Sequence, residues 1–567
     1  MSKRLLTIGA VLALYACSPE RAIVVEPKDA PIEHISLHAN DDKLIPKPEI
    51  DAFIEQQADK DKEHLFRWST ASDRMIWSAL VHSNNVLSVG YAIPSFDPKN
   101  LTKLNLKTKD WLEARQRILS IVFAEEKAFD KDLKTPEDVV VFPGHGMPNF
   151  DLKITQFSTV QKLRETGLIR FMEPADYEPK SEKGGKKQAQ SARAPFYAFG
   201  CGDNEHAEPP VVNIIDYTST TPNSSKISWN LVQHGLPAAW SRSATGRGMT
   251  IAYFDTGLSP EQARMNSGFS SGMSTNRTVQ KMVTFPNTRL QNLLGVSESP
   301  DDWCGHGTCV ASIGTAPRTG LSPIGVAYEA NLVSVRASFD VFLNTTREWR
   351  GAADGFTQLA TRPDVKVYSM SMGGVPFWSG TILYSIYNSV MADAIMLAAG
   401  YGKIMFCAAG TTPEDWMPKS LVVFPATMSE VYAVTGVKIR YDNQNNPLAI
   451  ANYTVPSTCN ECMYGPQVDF AVLMQKFNGN IRRVMALPRL NETEPTSFAG
   501  SSAATATMAA MFLSVWSRYP NEPAARVLTH LINHSTHGFQ NRHPEVGWGL
   551  VDLDAATVDP TIPRRTF

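Results

Sequence analysis

Two kinds of hydrophobic pattern divide the chain. From about residue 228 onward, short apolar runs alternate with Ala- and Gly-rich helical stretches: Met249 to Phe254, His306 to Thr315, Asn331 to Arg336, Val365 to Met370, Ile404 to Ala409 and Ser502 to Trp516. Such alternation predicts an α/β domain built on a mainly parallel sheet. Between residues 65 and 178 the pattern changes. Asp110 to Phe129 repeats apolar residues at helical spacing, with Leu112, Ile118, Leu119 and Val122 on the repeat. Val139 to Phe142 is an apolar run, Asp151 to Thr155 alternates, Val160 to Thr166 reads as a helix stopped by Gly167, and Leu168 to Phe171 reads as a strand. These elements predict a small α+β unit. Residues 19 to 64 are polar, carry Pro27, Pro31, Pro46 and Pro48, and show little apolar periodicity, as a tether would. Glu178 to Ala194, where Lys180, Lys183, Lys186 and Lys187 surround Gly184-Gly185, predicts an exposed, protease-sensitive linker.

Composition narrows the class. At 567 residues the chain exceeds the roughly 250–300 residues at which single cores stop growing, so two or three folded units are expected. Hydrophobic residues at 43% and charged residues at 19% fit packed globular units rather than a disordered or fibrous chain. A formal net charge of -2, with no basic stripe carrying interleaved aromatics, sets nucleic-acid partners aside.

Lys3 and Arg4 precede an apolar run from Leu5 to Ala16 that is too short to span a bilayer, the pattern of a secretory signal. Its end, Leu14-Tyr15-Ala16-Cys17, resembles a bacterial lipobox, which implies that Cys17 becomes the lipid-modified first residue of the mature protein. Ser18 after it implies the outer membrane as the address, facing periplasm or exterior. The alternative is a plain signal peptide and a secreted soluble product. Beyond Cys17 stand Cys201, Cys304, Cys309, Cys407, Cys459 and Cys462, an even number that permits disulfides in an exported chain but leaves their pairing open. Cys459-Asn460-Glu461-Cys462 has no second CxxC or HxxxH at ligand spacing, so it reads as a structural disulfide and no metal site is assigned.

In a parallel α/β sheet, functional side chains gather at the carboxyl ends of strands and the amino ends of the helices that follow. Three motifs occupy such places. Ile251-Ala252-Tyr253-Phe254-Asp255-Thr256-Gly257 ends an apolar strand in a carboxylate and a turn glycine. Gly305-His306-Gly307-Thr308-Cys309-Val310-Ala311 starts a small-residue helix with an imidazole. Gly500-Ser501-Ser502-Ala503-Ala504-Thr505-Ala506 puts a hydroxyl at the head of an Ala-rich helix, under the positive end of its dipole. Taken singly, Asp255 reads as a turn residue, His306 as a structural histidine and Ser502 as a helix cap. Their joint occurrence, in the order Asp, His, Ser, points to nucleophilic catalysis instead. His145, in Gly144-His145-Gly146, lacks the following Thr-x-Val-Ala and reads as a turn.

These motifs resemble the subtilase family, whose patterns run D-[ST]-G, H-G-T-x-V-A and G-T-S-x-A-x-P. The resemblance covers roughly residues 228 to 556, with Ser501 for the usual Thr and Ala506 for the usual Pro. It implies a serine endopeptidase working through an acyl-enzyme, in which Asp255 orients the imidazole, His306 is general base and then acid, and Ser502 is the nucleophile. Val367 to Gly374 is similar to the family's substrate-pairing strand, which assigns Ser371, Met372 and Gly373 to substrate binding. The family's Ala-Ala-Gly-Asn segment, whose asparagine amide serves the oxyanion hole, reads Ala408-Ala409-Gly410-Thr411 here. The oxyanion then falls to Thr411 and the Ser502 backbone N–H, and losing one such donor typically costs about 10²–10³ in kcat.

The expected architecture is a signal peptide (1–16), a lipid-anchored tether (17–64), a small α+β prodomain (65–178), a linker (179–227), a subtilisin-like three-layer peptidase domain (228–558) and a tail (559–567). The resemblance also brings calcium into view, although the scattered Asp and Asn form no recognisable oxygen-ligand loop. A monomer acting on protein or peptide substrates is expected, touching a membrane through its N-terminal lipid. Two rival readings are a peptide-binding or chaperone-like pseudoprotease, suggested by Thr411, and an acid peptidase using Glu and Asp, against which His306 argues.

Overall fold

The structure, a computed structural model, describes residues 44–180, 201, 211–221, 223–412, 418–453, 457–490 and 494–562. The signal segment, Cys17 and the linker residues 181–194 lie outside the described residues.

The N-terminal part contains α1 (Lys47–Lys60), α2 (Asp73–Val81), β1 (Val86–Tyr91), α3 (Lys109–Lys127), β2 (Val140–Pro143), β3 (Asn149–Lys153), α4 (Phe157–Glu165) and β4 (Ile169–Glu173). Its strands form an antiparallel sheet in the order β2-β3-β1-β4. Helices α3 and α4 contribute Trp111, Ile118, Leu119, Val122, Val160 and Leu163 to the core beneath it.

Three expectations need correction. The stretch before residue 65 is not a tether throughout: α1 buries Ile50, Ile54 and Ala58 against that same core. One apolar side chain per turn is too narrow a stripe to register as periodicity, and it becomes a helix face only when a partner surface covers it. The helix expected from Asp110 is present, but its buried phase includes Trp111 and Ala114, whereas Leu112 is 54% exposed. Helix α2 and strand β1 were not foreseen. All of β1 is buried, so it shows no alternation of polar and apolar residues to read.

The larger part is built on β5 (Thr250–Asp255), β6 (Val279–Val283), β7 (Asn331–Arg336), β8 (Val365–Met370), β9 (Ile404–Ala408), β10 (Tyr432–Lys438), β11 (Val468–Asn478) and β12 (Asn480–Arg482). These form one sheet in the order β12-β11-β10-β9-β8-β5-β7-β6, parallel except where β12 turns back on β11. Helices α5 (His306–Thr315) and α8 (Gly500–Arg518) share a core with Ile251 and Tyr253, while α6 (Thr346–Ala360) and α7 (Ser389–Gly400) share another with Ala252 and Phe254. Alternate side chains of β5 thus feed two cores, which gives the three-layer α/β fold expected from the sequence. The chain crosses from one side of β5 to the other between β7 and β8, so the crevice beyond the carboxyl ends of β5 and β8 lies at the topological switch point where such sheets bind ligands.

The N-terminal sheet lies against α6 and α7. Arg350 of α6 meets Asp151 at 2.7 Å and Asn149 at 2.5 Å, and Arg170 meets Asp393 of α7 at 2.6 Å. Two carboxylates from the N-terminal part receive the first backbone N–H groups of these helices: Ser389 N–H donates to Glu173 at 2.8 Å, and Thr346 N–H to Asp176 at 2.6 Å.

Candidate active site

Asp255 is the last residue of β5 and is buried. Its Oδ1 accepts from the Thr256 backbone N–H at 2.9 Å and from His306 Nδ1 at 2.7 Å. His306 opens α5 after Gly305, whose φ of +95° is a left-handed conformation that glycine tolerates. The ring is only 7% exposed, with the edge of Phe498 at 5.1 Å between centroids. Burial opposes its protonation, but the nearby charge of Asp255, its hydrogen bond, and the more distant Asp302 and Asp340 together outweigh burial and raise its pKa.

The two threonines of the motifs have structural work. Thr256 Oγ1 accepts from Gly307 N–H at 3.0 Å and donates to Asp302 Oδ1 at 2.8 Å. Asp302 also accepts from Gly305 N–H at 2.8 Å and, through Oδ2, from the N–H and hydroxyl of Thr308 at 2.8 and 2.7 Å. A Cβ on Gly307 would come within 2.4 Å of the Gly257 carbonyl, so the close packing of the Asp and His motifs demands glycine there. The sequence reading missed Asp302. A carboxylate three and six residues ahead of the N–H groups it binds is a local helix-capping signal that was available.

Ser502 is the third residue of α8. Its hydroxyl donates to the Ser371 carbonyl at 3.3 Å, and the Ser371 hydroxyl donates to the Ser502 carbonyl at 3.0 Å. His306, Ser371, Met372, Gly373, Thr411 and Ser502 all line one cleft of about 440 Å³, with Asp255 buried behind the imidazole. Thr411 is committed to the head of α8: Ser501 N–H donates to its hydroxyl at 3.2 Å, and the Thr411 and Ser501 hydroxyls lie 2.9 Å apart. His145 stands outside this cleft, its N–H donating to Asp354 at 3.2 Å.

Disulfides join Cys201 to Cys304 and Cys459 to Cys462, while Cys309 and Cys407 are buried thiols. Among the described residues no helix is long and apolar enough to cross a membrane, and no group of three or more His, Cys, Asp or Glu residues is arranged to hold a metal ion.

The family model described as the Subtilase family matches residues 246–549, just over half of the 567. The chain belongs to the subtilase family. This subtilase is 26% identical over 346 residues to the minor extracellular protease Epr of Bacillus subtilis (strain 168), a match covering 61% of the chain and 43% of Epr, so it spans less than half of that relative. It is 23% identical over 355 residues to alkaline elastase YaB of Bacillus sp. (strain YaB), covering 61% of the chain and 75% of the elastase. Among solved structures it resembles fervidolysin from Fervidobacterium pennivorans, with a TM-score of 0.52 and 16% identity over 85% of the chain and 62% of fervidolysin. That likeness establishes the shared fold. Membership places the subtilase among serine proteases at the level of the family.

Proposed function

We propose that the protein is an exported serine endopeptidase that cleaves peptide bonds through an acyl-enzyme on Ser502. The observation carrying this reading is the 2.7 Å bond between Asp255 and His306 Nδ1, which leaves Nε2 to serve the cleft that Ser502 also enters. In the reaction, the Ser502 hydroxyl turns from the Ser371 carbonyl to Nε2, loses its proton to His306 and attacks the scissile carbonyl. His306 then returns that proton to the departing amine, while Asp255 stabilises the imidazolium. The Ser502 N–H and the positive end of α8 receive the oxyanion. Ser371, Met372 and Gly373 hold the acyl half of the substrate.

In this proposal residues 44–178 form the prodomain, 179–227 link it to the peptidase domain at 228–558, and the chain is cut within the linker. The packing of the N-terminal sheet on α6 and α7 supports that division. Cys17 would anchor the mature chain to the outer membrane, and Cys17→Ser would release it to the soluble fraction.

Ser502→Ala or His306→Ala is expected to abolish casein and peptide hydrolysis without unfolding the protein; turnover at the wild-type rate in either variant overturns the assignment. The commitment of Thr411 to Ser501 favours a second reading, a peptide-binding protein of weak or no activity. Labelling of Ser502 by a fluorophosphonate separates the two, because only an activated serine reacts. Under the first reading Thr411→Asn raises kcat by up to about 10²–10³ with little change in KM, by restoring an amide donor to the oxyanion.

A further inference from the structure

Glu461 lines the catalytic cleft together with Arg483, and neither belongs to the motifs. It is the only carboxylate among the described residues lining that cleft. Glu461 sits in the turn closed by the Cys459–Cys462 disulfide, and the turn is pinned on two sides. Thr412 N–H donates to the Glu461 carbonyl at 2.9 Å and Met463 N–H to the Gly410 carbonyl at 3.0 Å, tying it to the Thr411 loop. Cys459 N–H donates to Gly436 at 2.9 Å and Asn460 N–H to the Gln475 side chain at 2.8 Å, tying it to the sheet.

The side chain is fixed as firmly. Arg483 Nε donates to Oε1 at 3.0 Å, and the whole residue is only 2% exposed. The other oxygen, Oε2, is buried with no hydrogen-bond partner among the described residues. A buried carboxylate oxygen without a donor is costly and rare. Here it occurs in a substrate-sized cleft, on a residue whose backbone and second oxygen are already held. It is therefore a carboxylate oxygen short of a donor, on a residue that forms part of the cleft wall.

Its position identifies the part of the substrate it would meet. Arg483 immediately precedes β13 (Val484–Ala486), which pairs with β14 (Thr496–Phe498) so that Val484 lies opposite Phe498. Phe498 in turn packs on the His306 ring. The Glu461–Arg483 pair thus flanks the His306 side of the cleft, and the departing amine must take its proton from His306.

We propose that Glu461 is the specificity residue for the leaving-group half of the substrate, accepting a hydrogen bond through Oε2 from an N–H-bearing side chain just beyond the scissile bond, with lysine and arginine the strongest donors. This rests on the peptidase reading. Arg483 balances the charge of Glu461, so selection comes from the short-range bond rather than from a long-range attraction to cations. A substrate without the donor leaves Oε2 buried and unpaired, which makes the site reject apolar residues more strongly than it rewards basic ones.

The test uses peptides with one fixed acyl half and Lys, Gln or Leu at the first and second positions after the scissile bond, measured with the full chain. At the position that Glu461 serves, kcat/KM is expected to fall in the order Lys, Gln, Leu, with Lys favoured over Leu by about 10- to 100-fold. Glu461→Leu brings that ratio to about one. Glu461→Gln, which keeps an oxygen but loses the charge, narrows the gap between Lys and Gln while retaining discrimination against Leu; thermal melting monitors the fold of both. Binding of the same peptides to Ser502→Ala gives a readout that needs no turnover. Equal kcat/KM and equal binding for all three peptides, or a ratio that survives Glu461→Leu, overturns the proposal. Lys-selective binding to Ser502→Ala without any turnover by the wild type would remove the peptidase reading and leave the subsite standing.

Discussion

Carboxylates cap helix N-termini in two regions of this molecule, and they do so differently. Inside the peptidase fold, Asp302 accepts four hydrogen bonds around the start of α5, from the Thr256 hydroxyl, the Gly305 N–H and both donors of Thr308. Across the junction with the N-terminal part, Glu173 accepts, among the described residues, the N–H and hydroxyl of Ser389, and Asp176 receives the Thr346 N–H. A carboxylate with four donors replaces its lost hydration well. One with two does so poorly, and burial, which outweighs the Ser389 bonds, pushes Glu173 up to about 7. The first device fixes a histidine permanently. The second joins two parts with a bond whose strength depends on proton concentration.

The sharpest way to break this contrast is Asp302→Ala. It strands four donors around the His306 loop and is expected to cost about 4 kcal/mol of stability, read by denaturant unfolding of the Ser502→Ala background. A loss below about 1 kcal/mol would show that the cap is dispensable.

The next effect is pH-dependent. Glu173 has a pKa raised from 4.5 to about 7, so the folded arrangement binds its proton more tightly than the unfolded chain does. Its contribution is fully present below about pH 4.5, declines between there and 7, and is gone above. Asp354, facing Arg350, Asp151 and the His145 N–H, is also raised to about 7, by burial, and acts in the same direction. Stability attributable to Glu173 should fall by about 3 kcal/mol across that window. Glu173→Gln in the Ser502→Ala background should flatten the melting temperature against pH; an unchanged slope would assign the dependence elsewhere. Asp176→Ala, which removes the acceptor of the Thr346 N–H at the start of α6, should cost about 1 kcal/mol and shift the same melting curve slightly.

What the sequence disclosed follows from the same distinction between local and assembled features. Asp255, His306 and Ser502 were legible because each stands beside glycines and small residues that the backbone itself requires, such as Gly307 against Gly257. The parallel sheet was legible because its strands are short apolar runs. Leu112 marked the right helix and the wrong face, since periodicity gives phase only when the stripe is unambiguous. Helix α1 was hidden because Ile50, Ile54 and Ala58 acquire meaning from a surface many residues away. Glu461 was hidden more deeply. Cys459 and Cys462 drew attention as a pair, but Glu461, one of the two residues between them, gains its setting only after Gly410, Gly436 and Arg483 have been brought to that turn by the fold.

The bond between Cys201 and Cys304 closes a ring that contains Asp255 and ends two residues before His306, with a sequence separation of 103. By the loop-entropy account, a ring of that length disfavours the unfolded chain by about 5 kcal/mol. A chain whose thiols are still reduced lacks that contribution, so the same sequence has two lifetimes according to its surroundings. In a thiol-rich compartment it is the more easily unfolded polymer. Once oxidised, the segment just before His306 stays tied to Cys201 even when the rest of the domain momentarily opens.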